Sequence, residues 1–118
     1  MTNKIAVITG GLSGIGLASA KALIQQGQTV VIGSRRCNTK EASSIQNSLD
    51  KKVIFYQLDV SDKKSVVSFT NKIEKEFGYA EILINAAGIY KEAQIINGDT
   101  SHWHNQIDIN LTGPFLMT

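Results

Sequence analysis

The sequence predicts an α/β fold, a doubly wound parallel sheet with helices on both faces. Three observations predict it. Short apolar runs rich in β-branched residues alternate along the chain with longer stretches of helical periodicity. The strand candidates are apolar almost throughout, not on every second residue, as expected where both faces of a sheet are covered. The first of them turns into a helix through spaced glycines, Thr9-Gly10-Gly11-Leu12-Ser13-Gly14-Ile15-Gly16.

Taken in order, Ile5 to Ile8 reads as a buried strand. Ile15 to Gln26 reads as a helix, with Ile15, Ala18 and Ala22 on its repeat and Gly27 as its C-cap. Thr29 to Ile32 is a second strand, rich in β-branched residues. Lys40 to Leu49 is a helix and Val53 to Leu58 a third strand. Ser61 and Asp62 start a helix whose face is Val66, Phe69, Ile73 and Phe77, and Gly78 ends it. Glu81 to Ile84 is a fourth strand, and Thr100 to Thr118 holds a further helix. The only proline, Pro114, falls inside that helix and is expected to kink it or reset its start.

At 118 residues the chain is enough for one small domain. It is 42% hydrophobic and 19% charged, which suits a globular chain and argues against disorder. Twelve basic residues against ten acidic leave a net charge of +2, too weak to imply nucleic acid or a membrane surface. Lys51-Lys52 and Lys63-Lys64 read as solvated surface. Cys37 is the single cysteine, so no internal disulfide forms. Its neighbours Arg35 and Arg36 could lower its pKa, but a plain loop thiol is the simpler reading. No residue spacing suggests a metal site, and His102 and His104 diverge on a helix. The first apolar run is too short for a signal-peptide core or a bilayer span. A soluble, cytoplasmic protein is expected.

A strand that bends through glycines into a helix can bring its backbone close to a phosphate, and the N–H groups of the new helix then face the negative charge. This points to a dinucleotide. The motif is not the general G-x-G-x-x-G, because Gly14-Ile15-Gly16-Leu17-Ala18-Ser19 has serine at its last position. In Rossmann folds an acid near the end of the second strand accepts from the ribose 2′-hydroxyl of NAD. Here Ser34 stands there, followed by Arg35 and Arg36. A neutral residue leaves room for a 2′-phosphate, and a guanidinium can grip it bidentately. NADP is therefore the expected cofactor, with NAD possible.

Four motifs then fall in one order: Thr9-Gly10-x-x-x-Gly14-Ile15-Gly16, Asp59-Val60, Asn85-Ala86-Ala87-Gly88, and Asn110 in Asn110-Leu111-Thr112-Gly113. On these the chain resembles, over essentially all its length, the N-terminal half of the classical short-chain dehydrogenase/reductases. The resemblance implies that Gly10, Leu12, Ser13, Gly14, Ile15 and Gly16 form the pyrophosphate turn. It makes Arg35, beside Ser34, the partner of the 2′-phosphate. It brings the Asp59 side chain and Val60 backbone to the adenine edge; the alternative is that Asp59 merely caps the next helix, which Ser61 and Asp62 can already do. It lets Ala86, Ala87 and Gly88 pass close to the ribose and nicotinamide, with Ala86 where the family often has a second asparagine. It counts Asn85 with them in the cofactor-binding motif and gives it a structural role there, bonding backbone between strands. Asn110 becomes the catalytic asparagine, shaping its helix and holding a water in a proton relay, with Trp103 and Asp108 at positions similar chains also share.

The family's chemistry also needs a tyrosine, a lysine four residues later and a serine upstream, the lysine bringing the tyrosine's pKa down toward working range. The residues four after Tyr56, Tyr79 and Tyr90 are Val60, Leu83 and Gln94, so the motif is absent from these 118 residues. Only strands in the order 3-2-1-4 of the usual six are supplied, which would leave Ile82, Leu83 and Ile84 as an open apolar edge. The last residues, Phe115-Leu116-Met117, are apolar too. The expectation is that residues 1–118 are the N-terminal part of a single dinucleotide-binding domain, from a protein about twice as long. That protein would be a homo-oligomeric oxidoreductase passing hydride between nicotinamide and a small-molecule carbonyl or alcohol. Two alternatives stay open: a nucleotide-binding module without turnover, and an interaction protein that pairs through its strand edge or last helix.

Overall fold

A computed structural model describes residues 3–49, 53–92 and 94–118; Lys51-Lys52 lies outside them. In chain order the elements are β1 (Ile5–Thr9), α1 (Gly14–Gln25), β2 (Thr29–Ser34), α2 (Lys40–Ser48), β3 (Val53–Gln57), α3 (Lys63–Phe77), β4 (Ile82–Asn85) and α4 (Thr100–Ile107). A π-helical turn (Asp108–Thr112) and α5 (Gly113–Met117) follow. All strand pairs are parallel and the sheet runs β3-β2-β1-β4. The chain thus winds outward from β1 on one side and returns to pair β4 on its other side. That reversal opens a crevice beyond the carboxyl ends of β1, β2 and β4.

Side chains alternate between the two faces. Ala6, Ile8, Val30, Ile32 and Val53 pack on one face with Ala20 of α1. Val7, Val31 and Leu58 pack on the other with Val66, Phe69 and Ile73 of α3. Ile8, Val30, Val31 and Ile32 are completely buried, each contributing about 1.5–3 kcal/mol. Strands buried on both faces have no polar side to show, which is why their sequences read as continuous apolar runs.

The strands β1 and β2 run further than the apolar runs suggest, to Thr9 and Ser34, because Thr9 pairs in register with both Gly33 and Asn85. β3 ends at Gln57, one residue early, and Leu58 folds into the core. There it covers Gly33, where a Cβ would lie 2.5 Å from Leu58 Cδ2. Thr39 and Asp62 cap α2 and α3, accepting from the Ala42 and Lys64 amides at 3.1 and 3.0 Å. Asp99 caps α4, and the Ser101 N–H it accepts holds its carboxyl below the usual range.

The final helical stretch is broken. Pro114 sits in the first turn of α5 and has no N–H for the Asn110 carbonyl four residues before it. The chain widens instead into the π-helical turn, where the Gly113 N–H reaches back five residues to the Asp108 carbonyl. Gly113 then lies against Val60, 2.8 Å from Cγ2 to where a Cβ would sit. At the other side of the sheet, β4 pairs only with β1 among the described residues, and Leu83 is 37% exposed. This is the open edge expected from the sequence.

On β3, the Tyr56 hydroxyl donates to the Glu76 carboxylate of α3. Lys72 Nζ lies 4.1 Å above the Tyr56 ring, and Phe69 meets that ring edge-on at 6.4 Å. Burial, and then the hydrogen bond and charge of Glu76, push the Tyr56 pKa up to about 12. The fold therefore favours the protonated phenol. Its contribution is complete below the unfolded value of about 10 and is lost as pH rises through about 12. The midpoint of urea unfolding is expected to fall across that interval. It should fall less in Tyr56→Phe, which keeps the ring beneath Lys72 and removes only the hydroxyl.

Candidate functional site

The crevice at the carboxyl ends of β1, β2 and β4 is a cleft of about 520 Å³. Its floor is the turn after β1. Thr9, 1% exposed, accepts the Ala86 N–H with its carbonyl (3.2 Å) and the Ala87 N–H with Oγ1 (3.1 Å). The Gly10 N–H donates to the Gly33 carbonyl at 3.1 Å. One turn is thus tied to the ends of both neighbouring strands. Gly10 has φ +68°, and a Cβ there would lie 2.6 Å from the Ala87 Cα, so dihedral and space both demand glycine. A Cβ on Gly16 would lie 2.3 Å from the Gly10 carbonyl oxygen, so the first turn of α1 rests directly on the loop. Gly14 has φ +53° but open space around it.

The α1 N-terminus differs from the starts of α2, α3 and α4, which a side chain caps. Ser13 occupies its N-cap without a side-chain hydrogen bond, and no acidic residue stands in the first turn. Leu12, Ser13, Gly14, Ile15 and Gly16 all line the cleft, and Ile15 is 80% exposed. The backbone donors and positive end of this helix are left for an anion from outside.

Ser34, Arg35 and Arg36 form the wall beyond β2. Ser34 Oγ accepts the Arg36 N–H at 3.2 Å, and Arg36 Nη1 lies 3.9 Å from Glu41 Oε2. Asp59 and Val60 form the wall beyond β3. Asp59 does not cap α3, since Asp62 does. Asp59 Oδ1 instead accepts the Ser61 N–H (3.0 Å) and hydroxyl (2.6 Å), while the Asp59 N–H donates to Ser65 Oγ (2.9 Å). These bonds fix one carboxylate oxygen.

Ala86, Ala87, Gly88 and Ile89 complete the wall beyond β4. Asn110 does not line the cleft but braces this wall. Its Oδ1 accepts the Ile89 N–H (2.8 Å) and its Nδ2 donates to the Ile89 carbonyl (2.7 Å). Four residues before it, Gln106 does the same for Lys91, at 3.4 and 3.2 Å. Two side-chain amides one helical turn apart thereby hold alternate residues of an extended segment, supplying the bonds a neighbouring strand would make. Asn85 ends β4, in register with Thr9. It is exposed, lies outside the cleft lining and makes no side-chain hydrogen bond among the described residues. Among the described residues no strand pairs with β4 on its far side.

Gly33, Arg36, Leu58, Ile89 and Ile109 also line the cleft without having been singled out as binding residues. Gly33 carried a readable signal, since a glycine inside a strand marks close approach of another group. Ile109 and Gln106 carried none. Among the described residues no group of His, Cys, Asp and Glu is arranged to hold a metal, and no helix is long and apolar enough to cross a membrane.

Residues 4–118 match the sequence profile of the family described as short chain dehydrogenase. An uncharacterized oxidoreductase of Staphylococcus saprophyticus is 35% identical over 115 residues, 96% of this chain and 49% of the relative. A 2-dehydro-3-deoxy-D-gluconate 5-dehydrogenase of Formosa agariphila is 33% identical over 98% of this chain and 44% of its own length. The crystal structure of an alcohol dehydrogenase from the archaeon Thermococcus sibiricus, complexed with 5-hydroxy-NADP, superposes with a TM-score of 0.86. It is 30% identical, over 98% of this chain and 50% of that one. The chain spans about half the length of the curated relatives it matches.

The glycines of the turn should respond unequally to alanine. Gly14→Ala forces a left-handed residue but meets nothing, and is expected to cost about 1–2 kcal/mol. Gly10→Ala adds a collision with the Ala87 backbone and is expected to cost a further 1–3 kcal/mol or so; urea denaturation of the two variants measures the gap. Asn110→Ala should raise hydrogen exchange at the Ile89 amide about ten-fold while leaving the Val7 amide unchanged, as read by NMR.

Proposed function

We propose, from the premise that this chain belongs to the short-chain dehydrogenase family, that residues 1–118 are the nucleotide-binding part of an NADP-preferring oxidoreductase. The whole protein passes hydride between a nicotinamide and the carbonyl or alcohol carbon of a small molecule. The observation that carries this reading is the pairing of two anion sites across one cleft. The uncapped start of α1 lies over the glycine turn on one side, and Ser34-Arg35 stands where an acid would select NAD on the other. The complex of the Thermococcus sibiricus alcohol dehydrogenase with 5-hydroxy-NADP supports the same choice of cofactor.

The nicotinamide, when bound, supplies the hydride chemistry. The chain's own residues bind and orient. Gly10, Gly14 and Gly16 let the backbone approach the pyrophosphate, and the amides around Leu12, Ser13 and Ile15 donate to it. Arg35 grips the 2′-phosphate, for which the small Ser34 leaves room. Asp59 accepts from the adenine amino group through the oxygen that Ser61 does not hold, and the Val60 N–H donates to a ring nitrogen. Ala86, Ala87 and Gly88 keep the far wall free of bulk. Asn110 steadies that wall and presents a carbonyl to which Pro114 offers no N–H, the acceptor that a proton-relay water needs. The serine and the Tyr-x-x-x-Lys pair that would trade protons with substrate belong to sequence outside these 118 residues, so this chain alone binds without turnover. A cytoplasmic setting and a homo-oligomeric full-length protein go with the same reading.

Isothermal titration of the purified chain with NADP and NAD tests it. Arg35→Ala is expected to weaken NADP by about 1.5–3 kcal/mol, the worth of a charged hydrogen bond, and to leave NAD nearly unchanged. An equal loss for both nucleotides would take Arg35 away from the 2′-phosphate.

A further inference from the structure

Among the described residues one ion pair forms, and it stands on the rim of the cleft. Arg36 Nη1 is 3.9 Å from Glu41 Oε2, their side chains 66% and 53% exposed. The Arg36 backbone is held at both ends. Its N–H donates to Ser34 Oγ (3.2 Å), and its carbonyl accepts from Thr39 Oγ1 (3.0 Å), which itself accepts from the Ala42 N–H (3.1 Å). The loop from β2 into α2 is therefore braced through the α2 cap, and the freedom that remains lies in the Arg36 side chain. That side chain lines the cleft next to Arg35, yet its charge is turned to the first turn of α2.

We infer that Glu41 tunes cofactor discrimination by engaging Arg36, a second guanidinium that would otherwise serve a 2′-phosphate beside Arg35. This rests on the reading of Ser34 to Arg36 as the 2′-phosphate wall. An exposed pair at 3.9 Å is weak, so a phosphate, which offers a guanidinium two parallel hydrogen bonds, can displace the carboxylate. The displacement has two costs. The pair must break, and the released carboxylate stays as a like charge close to the phosphate. A nucleotide without a 2′-phosphate meets neither cost, so Glu41 acts on the ratio of the two affinities and not on nucleotide binding as a whole. Glu41 is a positioning residue here, acting through Arg36.

Adenosine 2′,5′-bisphosphate and 5′-AMP are the probes, since both walls named for the adenosine end lie within this chain. Titration calorimetry with both is applied to wild type, Arg35→Ala, Arg36→Ala, Glu41→Gln and the Arg36→Ala/Glu41→Gln double variant. Glu41→Gln is expected to tighten the bisphosphate about two- to five-fold, the range of an exposed ion pair, with 5′-AMP unchanged. The gain should shrink to less than half in the Arg36→Ala background. Unchanged or weaker bisphosphate binding in Glu41→Gln overturns the inference, and so does a gain that persists in full without Arg36. In either case a wild-type preference for the bisphosphate that Arg35→Ala abolishes leaves the cofactor reading standing. A wild type that binds both probes alike, or neither, overturns that reading and the role of Glu41 with it.

Discussion

Everything in the cleft depends on how the chain leaves β1. Thr9 is buried with its carbonyl and its hydroxyl both committed to the backbone beyond β4, and Gly10 commits its N–H to β2. The turn has therefore almost no freedom of its own. Its left-handed Gly10 sits so close to Ala87 that the two walls of the cleft share a common floor. Because Gly16 packs on the Gly10 carbonyl, the direction of α1 is set by the same contact. A displacement at Gly10 would move a helix axis, a strand end and the loop after β4 together.

That constraint also explains how unequally the molecule can be read from its sequence. The turn was legible because glycine is required there for steric reasons, and steric requirements leave a mark on residue type. The order of the strands was legible because burial on both faces leaves continuous apolar runs. Pro114 announced a break but not its form, since a lost N–H can be absorbed by a kink or by a wider turn, and Gly113 against Val60 decides for the latter. The Gln106 brace on Lys91 had no mark at all. A glutamine on a helix is ordinary, and only the fold brings an extended segment alongside it.

Charge is spent locally. The net charge of +2 says little about partners, yet the cleft gathers the positive end of α1, Arg35 and Arg36 along one line. α2, α3 and α4 quench their N-termini with Thr39, Asp62 and Asp99, while α1 leaves its own open. An unsatisfied helix start costs stability, and the α1 start faces the cleft with no side chain of its own N-cap spent on its donors.

The two ends of the cleft are supported by different physics. The walls beyond β2 and β3 have helices capped just behind them, so Ser34, Asp59 and their loops are pinned by backbone and hydroxyl contacts within a few residues. The wall beyond β4 is held at its base by Thr9, and its outer part is supported across 21 residues of chain, by the Asn110 amide on Ile89. That amide sits in a π-helical turn whose existence depends on Pro114, and α5 is held down by Gly113 on Val60, beside Asp59. The brace of one wall is thus anchored on the other. The residue that a phosphate-binding motif search would pass over, Gly113, is the point where the adenosine end and the far end of the cleft are mechanically joined.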